Sequence, residues 1–342
     1  MNKNIKKYAK LHKNEFNQIQ KLIKKYDKIV VFRHVSPDFD AIGTQLGLAN
    51  YLKQKYPFKE IHAVGEDSVQ LTGFTFPPMD ILEDSWFEQE FLAIIVDVSD
   101  PKRISDERFN KAKKIAVIDH HPNSETFSTI NCTDTAAAAA GEIVASMLYY
   151  FEKGTSIGYH AARNLYIAIA GDSGRFQYSS TTSLTFALAQ ELIDEGLVLP
   201  EIYSAMYEED IKSLNITKKL LENYKVTEHN AIYYVLTNED QQEIGIEQGE
   251  AKGFVHTFAG IRNVPIWSSI TEDIEKGCFW VSIRSKVIPV NKIAEKWRGG
   301  GHDQAAGCKL LSLDEVPAFA KDLDDAIVEW NRNQKWVLYH YM

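Results

Sequence analysis

The sequence predicts an α/β fold: a doubly wound, mainly parallel sheet followed by a smaller α/β C-terminal domain. Three short apolar segments are typical of buried strands, and each ends in a polar residue: IVVFRH at 29–34, FLAIIVD at 91–97 and KIAVID at 114–119. Segments with helical periodicity alternate with them along the chain. Alternating strands and helices indicate a parallel sheet, whose ligand crevice lies beyond the carboxyl ends of the strands.

The remaining elements divide the chain into three regions. We predict a first domain over 1–190, a helical and charged connector over 191–222, and a second domain over 223–342. The first domain also contains a predicted strand at 61–65 and predicted helices at 41–56, 136–151, 159–171 and 183–195. The second contains predicted strands at 230–237, 264–270 and 278–286, and predicted helices at 291–299 and 313–333.

Composition and charge argue against several classes of protein. The chain has 342 residues, enough for about two domains, and a net charge of −9, which argues against a groove for long duplex nucleic acid. Its three cysteines show no CxxC spacing, so we expect no disulfide framework and predict a reducing, cytoplasmic location. No segment approaches the roughly 20 apolar residues that span a bilayer, and the Lys-rich first 28 residues lack the apolar core of a secretory signal.

The N-terminal region carries an apolar stripe at helical spacing, with lysines between its members: Phe16, Ile19, Leu22 and Ile23. Such a stripe can lie on a membrane surface, but it more often packs on the protein's own core. We therefore expect this region to dock on the core, and we expect no membrane partner.

The segment HVSPDFDAIG places a histidine and two carboxylates at one strand end. His34 ends the first predicted strand, and Asp38 and Asp40 follow in a loop before a helix. Side chains two residues apart in an extended segment point the same way, so both carboxylates can face one site. The alternative is an ordinary polar loop, which this segment alone does not exclude.

Carboxylates and histidines also end the next two strong strands. Asp97 closes FLAIIVD, and the segment IDHHP contains Asp119, His120 and His121. A carboxylate at the end of an apolar strand is costly unless it is paired or ligated, although a helix cap would also explain Asp97. Adjacent histidines point in different directions, so one can bind a metal while the other faces a substrate.

Asp172 ends an apolar helix in the segment IAGDSGRF, where glycines permit a tight turn and a capping role is the alternative. It completes a set of two histidines and four aspartates near one predicted sheet edge: His34, Asp38, Asp40, Asp97, His120 and Asp172. Oxygen and nitrogen ligands without sulfur suit Mn²⁺, Mg²⁺, Co²⁺ or Zn²⁺. This set is too large for one catalytic ion and suits two ions about 3.5–4 Å apart that share a carboxylate and act on a phosphoryl group.

The second domain carries the glycine-rich segment RGGGHDQAAG at 298–307. Consecutive glycines expose backbone N–H groups and let a ligand approach closely, and His302 follows them. Arg284, in the predicted strand CFWVSIRSK, can bind phosphate with two N–H groups. A flexible turn is the alternative, but the glycines, the histidine and the small residues after them favour a ligand site.

In this order, HVSPDFDAIG, the Asp of FLAIIVD, IDHHP, GDSGRF and RGGGHDQAAG resemble the motifs of DHH phosphoesterases and of their DHH-associated C-terminal domain. The resemblance covers most of residues 28–312. The length, the SIRSK strand and NKIAEKW before the glycines are most similar to the subgroup of bifunctional oligoribonucleases (nanoRNases) and pAp phosphatases. The resemblance implies hydrolysis of short oligonucleotides and removal of the 3′-phosphate of pAp, at a site in the cleft between the domains.

The resemblance also implies two Mn²⁺ ions, with Mg²⁺ or Co²⁺ as alternatives, that share Asp97 as a bridging ligand. The other ligands would be divided between the ions, with His34 and Asp38 on the first and Asp40, His120 and Asp172 on the second. His121 would lie beside the scissile phosphate as a proton donor, and Asp119 would orient the site. The second domain would bind the substrate through Ser282, Arg284, Gly299, Gly300, Gly301 and His302.

The sequence departs from the family pattern at two places. Thr44 stands where members often carry Ser, and its hydroxyl keeps the same chemistry. The run DTAAAAAGEI at 134–143 lies where many members carry Ser or Thr, which leaves the substrate preference open.

Several alternative functions remain in view. The nearest is a phosphodiesterase of cyclic or linear dinucleotides such as c-di-AMP, pApA or pGpG. The acidic net charge disfavours a long-strand exonuclease, and RGGGH disfavours a manganese pyrophosphatase. The intact ligand positions disfavour a non-catalytic nucleotide-binding protein. The expected partners are short oligonucleotides, pAp or dinucleotides. Whether the protein forms a homodimer, the polarity of its cleavage and its choice of RNA or DNA stay open.

Overall fold

The computed structural model describes residues 1–66, 70–98, 100–122, 127–246 and 250–341, and it divides into two compact units. Unit 1 comprises Met1–Glu208 and unit 2 comprises Glu209–Met342. The division falls inside the region 191–222, which the sequence predicts as a connector. The predicted fold class, a parallel α/β sheet followed by a smaller α/β domain, is confirmed.

The main sheet of unit 1 is parallel throughout. The strands of this unit are β1 (Lys28–Phe32), β2 (Glu60–Ala63), β3 (Gln70–Leu71), β4 (Phe74–Thr75), β5 (Leu92–Val96), β6 (Lys114–Asp119) and β7 (Ile130–Thr133). The main sheet has the order β2-β1-β5-β6-β7, and β3 and β4 form a separate antiparallel hairpin. The strand order reverses between β1 and β5, which is where such sheets hold their ligands.

The helices of unit 1 are α1 (Lys3–Leu11), α2 (Lys13–Lys25), α3 (Phe39–Lys55), α4 (Ala140–Phe151), α5 (Tyr159–Asp172), α6 (Ser183–Ile193) and α7 (Leu199–Met206). Helix α2 buries Phe16, Ile19 and Ile23 in the main core, so the N-terminal stripe docks on the protein as predicted. Helix α4 begins at Ala140 rather than at 136, because Ala139 is still extended, with φ −163° and ψ 155°.

Two cores lie on opposite faces of the main sheet. Ile29 and Val31 of β1 belong to the core that contains the helices, whereas Val30 and Phe32 belong to the core on the other face. Short 3₁₀ segments line this second core, with Phe87 among their buried residues. Long helices therefore cover mainly one face, whereas an ideal doubly wound fold has helices on both.

Unit 2 is built on a mixed sheet. Its elements are α8 (Lys212–Asn223), β8 (Tyr224–Val226), β9 (Ile232–Leu236), α9 (Asn238–Ile244), β10 (Ile266–Asp273), β11 (Cys278–Ser285), α10 (Asn291–Lys296), β12 (Gly300–His302), β13 (Ala305–Leu310) and α11 (Val316–Tyr341). The strand order is β12-β13-β11-β10-β9-β8, with β9 and β10 parallel and the other neighbours antiparallel. Within the glycine-rich segment, Gly300 and Gly301 lie in strand β12 and pair with β13, so they do not form the flexible turn that was the alternative.

Two observations bear on the class of protein. Within the residues that the structure describes, no helix is both long and apolar enough to cross a membrane. Cys132, Cys278 and Cys308 are buried free thiols. The cytoplasmic location stays a prediction.

Candidate metal centre

Three neighbouring strands of unit 1 deliver predicted ligands to one edge of the main sheet. His34 follows β1, Asp97 follows β5 and His120 follows β6. Asp38 lies in the loop after β1, and its carboxylate caps helix α3 by accepting a hydrogen bond from the N–H of Ala41 at 3.0 Å. The cap fixes the end of this loop beside the sheet edge.

Two helices supply the other two carboxylates. Asp40 lies in the first turn of α3, and Asp172 is the last residue of α5. A side chain at Gly43 would lie 2.6 Å from the carbonyl oxygen of Asn164, so α3 and α5 approach each other too closely for any residue but glycine. This close packing of the two helices brings Asp40 and Asp172 together.

The predicted ligands form overlapping groups whose ligand atoms lie within 4.8 Å of one another. One group consists of His34, Asp38 and Asp97, and a second consists of Asp40, His120 and Asp172. A third group, of Asp97, His120 and His121, overlaps both. All six predicted ligands therefore lie in one cluster, which the sequence could only infer from strand ends.

Asp97 connects the two groups through its two carboxylate oxygens. Its Oδ2 lies 3.4 Å from Nε2 of His34, and its Oδ1 lies 3.4 Å from Nε2 of His120. His120 Nε2 also lies 3.2 Å from Oδ2 of Asp172 and 3.7 Å from Oδ2 of Asp40. A carboxylate with one oxygen toward each group has the geometry of a bridging ligand.

Both histidines are held in the orientation of metal ligands. Nδ1 of His34 lies 2.7 Å from the carbonyl oxygen of Val35, and Nδ1 of His120 lies 3.3 Å from that of Ala137. Because a carbonyl can only accept, each Nδ1 carries the proton in the neutral ring and Nε2 keeps its lone pair. In both rings this lone pair faces the carboxylate cluster, as in histidines bound to a metal.

Buried polar atoms of the cluster lack hydrogen-bond partners, which tests whether a cation fits. Among the described residues, Oδ1 of Asp97 and Nε2 of His120 are buried without a hydrogen bond. Burial and the charge of Asp97 raise the pKa of Asp40 well above its usual value, and burial raises the pKa of Asp172 to about 6. A divalent cation would supply both the missing ligand bonds and the missing positive charge.

The alanine run holds Asp40 through its backbone rather than through side chains. The N–H groups of Ala140 and Gly141, at the start of α4, donate to Asp40 at 2.6 and 2.9 Å, and the hydroxyl of Thr44 donates at 2.8 Å. A side chain at Gly141 would lie 3.3 Å from the Asp40 carboxylate. Thr44 thus supplies the hydroxyl expected of a Ser at this position.

Asp119 positions His121 at the edge of the cluster. Its Oδ1 lies 3.0 Å from Nδ1 of His121 and also accepts the backbone N–H groups of His120 and His121, at 2.8 and 3.2 Å. The contact with Asp119 raises the pKa of His121, although burial opposes it. The His121 ring is 48% exposed.

In unit 2, four of the six predicted substrate-binding residues share one face of the sheet: Ser282, Arg284, Gly300 and His302. His302 of β12 pairs with Ala305 of β13, which pairs with Arg284 of β11; one step along, Gly300 pairs with Gly307, which pairs with Ser282. Residues paired across strands share a face, so Arg284 and His302 flank a floor of alanine and glycine. This arrangement can admit a small anionic group between two nitrogen-bearing side chains.

The three glycines of RGGGH differ in whether the surrounding structure leaves room for a side chain. A side chain at Gly299 would lie 2.0 Å from the carbonyl oxygen of Gly307, and Gly301 has φ 141° and would contact Ala306 at 2.6 Å. A side chain at Gly300 would meet no atom within 4 Å. Packing thus requires two of the glycines, and Gly300 alone leaves open space on the face of Arg284 and His302.

Comparisons with known proteins agree with this geometry. The model of the DHH family, N-terminal domain, matches residues 28–169, and the model of the DHHA1 domain matches residues 212–329. The bifunctional oligoribonuclease and PAP phosphatase NrnA of Bacillus subtilis (strain 168) is 31% identical over 308 residues, covering 90% of this chain and 97% of that protein. The chain belongs to the DHH family.

Further relatives match the DHH chain over nearly its whole length. The probable bifunctional oligoribonuclease and PAP phosphatase NrnA of Streptococcus mutans is 31% identical, covering 91% of this chain and 99% of the relative. A solved structure of an exopolyphosphatase-related protein from Bacteroides fragilis superposes with a TM-score of 0.76 at 25% identity, covering 94% and 98% of the two chains. As a member of this family, the DHH chain is a metal-dependent phosphoesterase.

Sequence reasoning missed two buried charged residues behind the centre of the DHH chain. Arg33 is fully buried and donates to the carbonyl oxygens of His34 and Glu66 at 3.0 and 2.9 Å, which fixes the backbone of a ligand. Glu142 accepts from the hydroxyl of Thr185 at 3.0 Å, and burial raises its pKa to about 7. A signal was present in the sequence, since Arg33 directly follows the apolar strand β1 and Glu142 lies within the apolar helix α4.

Proposed function

We propose that this DHH protein hydrolyses the phosphoester bonds of short oligonucleotides to mononucleotides and removes the 3′-phosphate of pAp. The observation that carries the proposal is Asp97, whose two oxygens face different histidines in two groups of metal-binding side chains. Two relatives that cover nearly the whole chain carry both activities in their names. The net charge of −9 suits a short ligand better than a long strand.

We infer two divalent ions, for which Mn²⁺ is the first candidate and Mg²⁺ or Co²⁺ the alternatives. His34 and Asp38 would hold one ion, Asp40, His120 and Asp172 the other, and Asp97 both. The ions would lower the pKa of a water and polarise the phosphoryl oxygens of the substrate. The donor set, two imidazoles and four carboxylates without sulfur, fits these metals.

The other residues of the site would orient the substrate and move one proton. Water attacks phosphorus and the bond to the leaving oxygen breaks, so that this oxygen needs a proton. His121 is proposed to give that proton from Nε2, because Nδ1 is held by Asp119 at 3.0 Å. Asp119 thus acts as a positioning residue for His121.

Unit 2 is proposed to bind the substrate. Arg284 and His302 share a face of the sheet with Ser282 and the open position at Gly300. Arg284 would bind phosphate oxygens with its planar set of N–H donors. The backbone of Gly299 and Gly301 would complete this surface.

Replacing Asp97 by Ala tests the metal centre. We expect Asp97→Ala to reduce the turnover of pAp and of a trinucleotide in Mn²⁺ by more than the roughly 10–100-fold typical of losing an outer-shell partner. Asp100→Ala is the matched control, because Asp100 follows the same strand but lies outside the metal-binding groups. Equal turnover by the Asp97 variant and the control would refute the two-metal proposal.

A substrate panel in Mn²⁺ tests the specificity. It compares pAp, a dinucleotide, a trinucleotide, a cyclic dinucleotide, a long single strand and pyrophosphate, with Mg²⁺ and Co²⁺ as alternative ions. We expect hydrolysis of pAp and of the short linear oligonucleotides, and little turnover of the long strand. Turnover of only the cyclic dinucleotide or only pyrophosphate would replace the proposed function.

A further inference from the structure

Unit 1 exposes three large aromatic side chains that the metal centre does not use. Tyr178, Phe186 and Tyr207 are 55%, 58% and 59% exposed, and we call them together the aromatic shelf. Scattered apolar side chains are normal on a surface, but clustered ones mark binding sites. Phe186 and Tyr207 are joined through neighbouring aromatic rings to the turn that follows Asp172.

Two rings of the shelf are stacked on a second aromatic ring. Phe186 stacks on Phe176, with ring centroids 5.6 Å apart and an angle of 24° between the planes. Tyr207 stacks on Tyr203, with centroids 6.1 Å apart and an angle of 21°. Stacking fixes the orientation of both exposed rings, and Phe186 presents its other face to a further flat group.

The two stacked pairs belong to one aromatic cluster. Tyr166 lies between them, with its ring 5.8 Å from Phe176 and 6.3 Å from Tyr203, and its hydroxyl 3.0 Å from that of Tyr203. The guanidinium of Arg175 lies over the ring of Tyr207, 5.1 Å from its centroid. A cation is therefore part of the same surface.

A strained turn connects the shelf to the metal centre. Directly after Asp172, residues 174–176 have positive φ angles of 58°, 58° and 66°, a left-handed run in which two members are not glycine. Buried Ser173 holds this turn, because its hydroxyl accepts the N–H of Phe176 and its carbonyl accepts the N–H of Tyr178, both at 3.0 Å. Four residues span at most about 14 Å, so Phe176 is near the metal-binding cluster.

Flat, exposed rings are suited to nucleobases. Bases stack on aromatic side chains whatever their sequence, because every base has a π-face. Packing of α5 against α7 does not require the exposed ring of Tyr207, since Tyr166 and Tyr203 make that ring contact.

We propose that the aromatic shelf binds the bases of an oligonucleotide that extend beyond the scissile phosphate. The proposal rests on the proposed function, since it assigns a subsite to the same substrate class. One base stacks on Phe186 and another on the guanidinium of Arg175 that lies over Tyr207, and this guanidinium also attracts the adjoining phosphate. The shelf thereby selects short oligonucleotides over a free mononucleotide.

The test measures kcat/KM for a trinucleotide, for the same trinucleotide with abasic sugars away from the cleaved bond, and for pAp. Phe186→Ala and Tyr207→Ala should each lower kcat/KM for the intact trinucleotide about tenfold, the usual loss for one stacked base. Their losses on the abasic trinucleotide and on pAp should be at least fivefold smaller. Wild type itself should lose activity when the bases are removed.

Conservative variants and a matched control separate stacking from structural damage. Phe186→Tyr and Tyr207→Phe keep a flat ring and should restore activity on the intact trinucleotide. Phe58→Ala removes a fully exposed ring elsewhere in unit 1 and should leave all three activities at the wild-type level.

Three results would overturn the proposal. Equal losses on intact and abasic trinucleotides would show a structural role for the rings and overturn it. The proposal is also overturned if the wild type hydrolyses the trinucleotide and both alanine variants have the same kcat/KM as Phe58→Ala. If the wild type hydrolyses no oligonucleotide, the proposed function itself is wrong. Binding of labelled trinucleotides in Mn²⁺ then tests the shelf, and equal affinity for the intact and the abasic trinucleotide would overturn the proposal that it binds bases.

Discussion

At the scale of single residues, Asp97 is constrained by its burial, its backbone conformation and its contacts with two histidines. It is 2% exposed, has a positive φ of 56°, and directs its two oxygens toward different histidines. A left-handed conformation costs about 1–2 kcal/mol for a residue with a side chain. The N–H of Asp97 donates to the carbonyl oxygen of Ile118 at 3.0 Å, which holds this conformation. Asp97 thus adopts an unfavourable backbone conformation that directs its carboxylate toward the cluster of candidate ligands.

His121 provides a prediction about proton transfer. Replacing His121 by Ala should lower the turnover of an oligonucleotide by roughly 10²–10⁴-fold, the usual contribution of a general acid. The same variant should lose less than about tenfold on a nucleotide p-nitrophenyl ester, because p-nitrophenolate leaves without a proton. Steady-state kinetics on both substrates measure the difference.

The matched control for this prediction is His160→Ala, which removes an exposed histidine that follows the first residue of α5. It should leave both rates near those of the wild type. A loss on the p-nitrophenyl ester as large as that on the oligonucleotide would rule out proton donation by His121 and indicate a role in binding.

The sequence allowed the clustering of the candidate ligands to be predicted, because most of them occupy equivalent positions at strand ends. His34, Asp97 and His120 each follow a parallel strand, and parallel strands end at a common edge. The buried Arg33 and Glu142 could not be predicted in the same way. Their burial depends on partners far along the chain, such as Glu66 for Arg33 and Thr185 for Glu142.

At the scale of elements, the main strands of unit 1 were predictable but the conformation of the glycine-rich segment was not. The main strands of unit 1 can be recognised in the sequence as short runs of apolar residues, whereas β12 contains only Gly300, Gly301 and His302. Glycine has little intrinsic preference for strands, so the pairing of β12 with β13 decides its conformation. The start of α4 was also missed, since an alanine run favours helix but Ala139 remains extended.

Two glycine substitutions in β12 separate folding from ligand binding. Gly300→Ala should change the free energy of unfolding by less than about 0.5 kcal/mol, because its side chain would meet no atom within 4 Å. Its kcat/KM for a trinucleotide should nevertheless fall by about tenfold or more, a loss of about 1.4 kcal/mol of binding. Gly301→Ala should instead destabilise unit 2 by at least about 1 kcal/mol, because φ is 141° there.

Denaturant unfolding and steady-state kinetics distinguish the two substitutions in β12. Full activity in Gly300→Ala would show that no ligand approaches this glycine. An unfolding free energy in Gly301→Ala equal to that of the wild type would contradict the steric argument for that position.

At the scale of the whole molecule, the two units are expected to have separate tasks. All six proposed metal ligands belong to unit 1, whereas Arg284, His302 and the glycines belong to unit 2. The family models divide in the same way, with matches at 28–169 and 212–329. Metal affinity should therefore be independent of the side chains of unit 2, and substrate affinity should depend on them.

Thermal unfolding with and without Mn²⁺ tests this separation. A ligand at about 100 times its Kd stabilises the folded state by about 2.7 kcal/mol, which for a unit of this size raises the midpoint by roughly 5–10 °C. Wild type and Arg284→Ala should show the same rise, reversed by a chelator, although Arg284→Ala should have a lower kcat/KM for a trinucleotide. His120→Ala should show little or no rise, because Nε2 of His120 lies within 3.7 Å of three carboxylates. A full rise in His120→Ala would place the metal elsewhere, and its loss in Arg284→Ala would show that unit 2 helps to bind the metal.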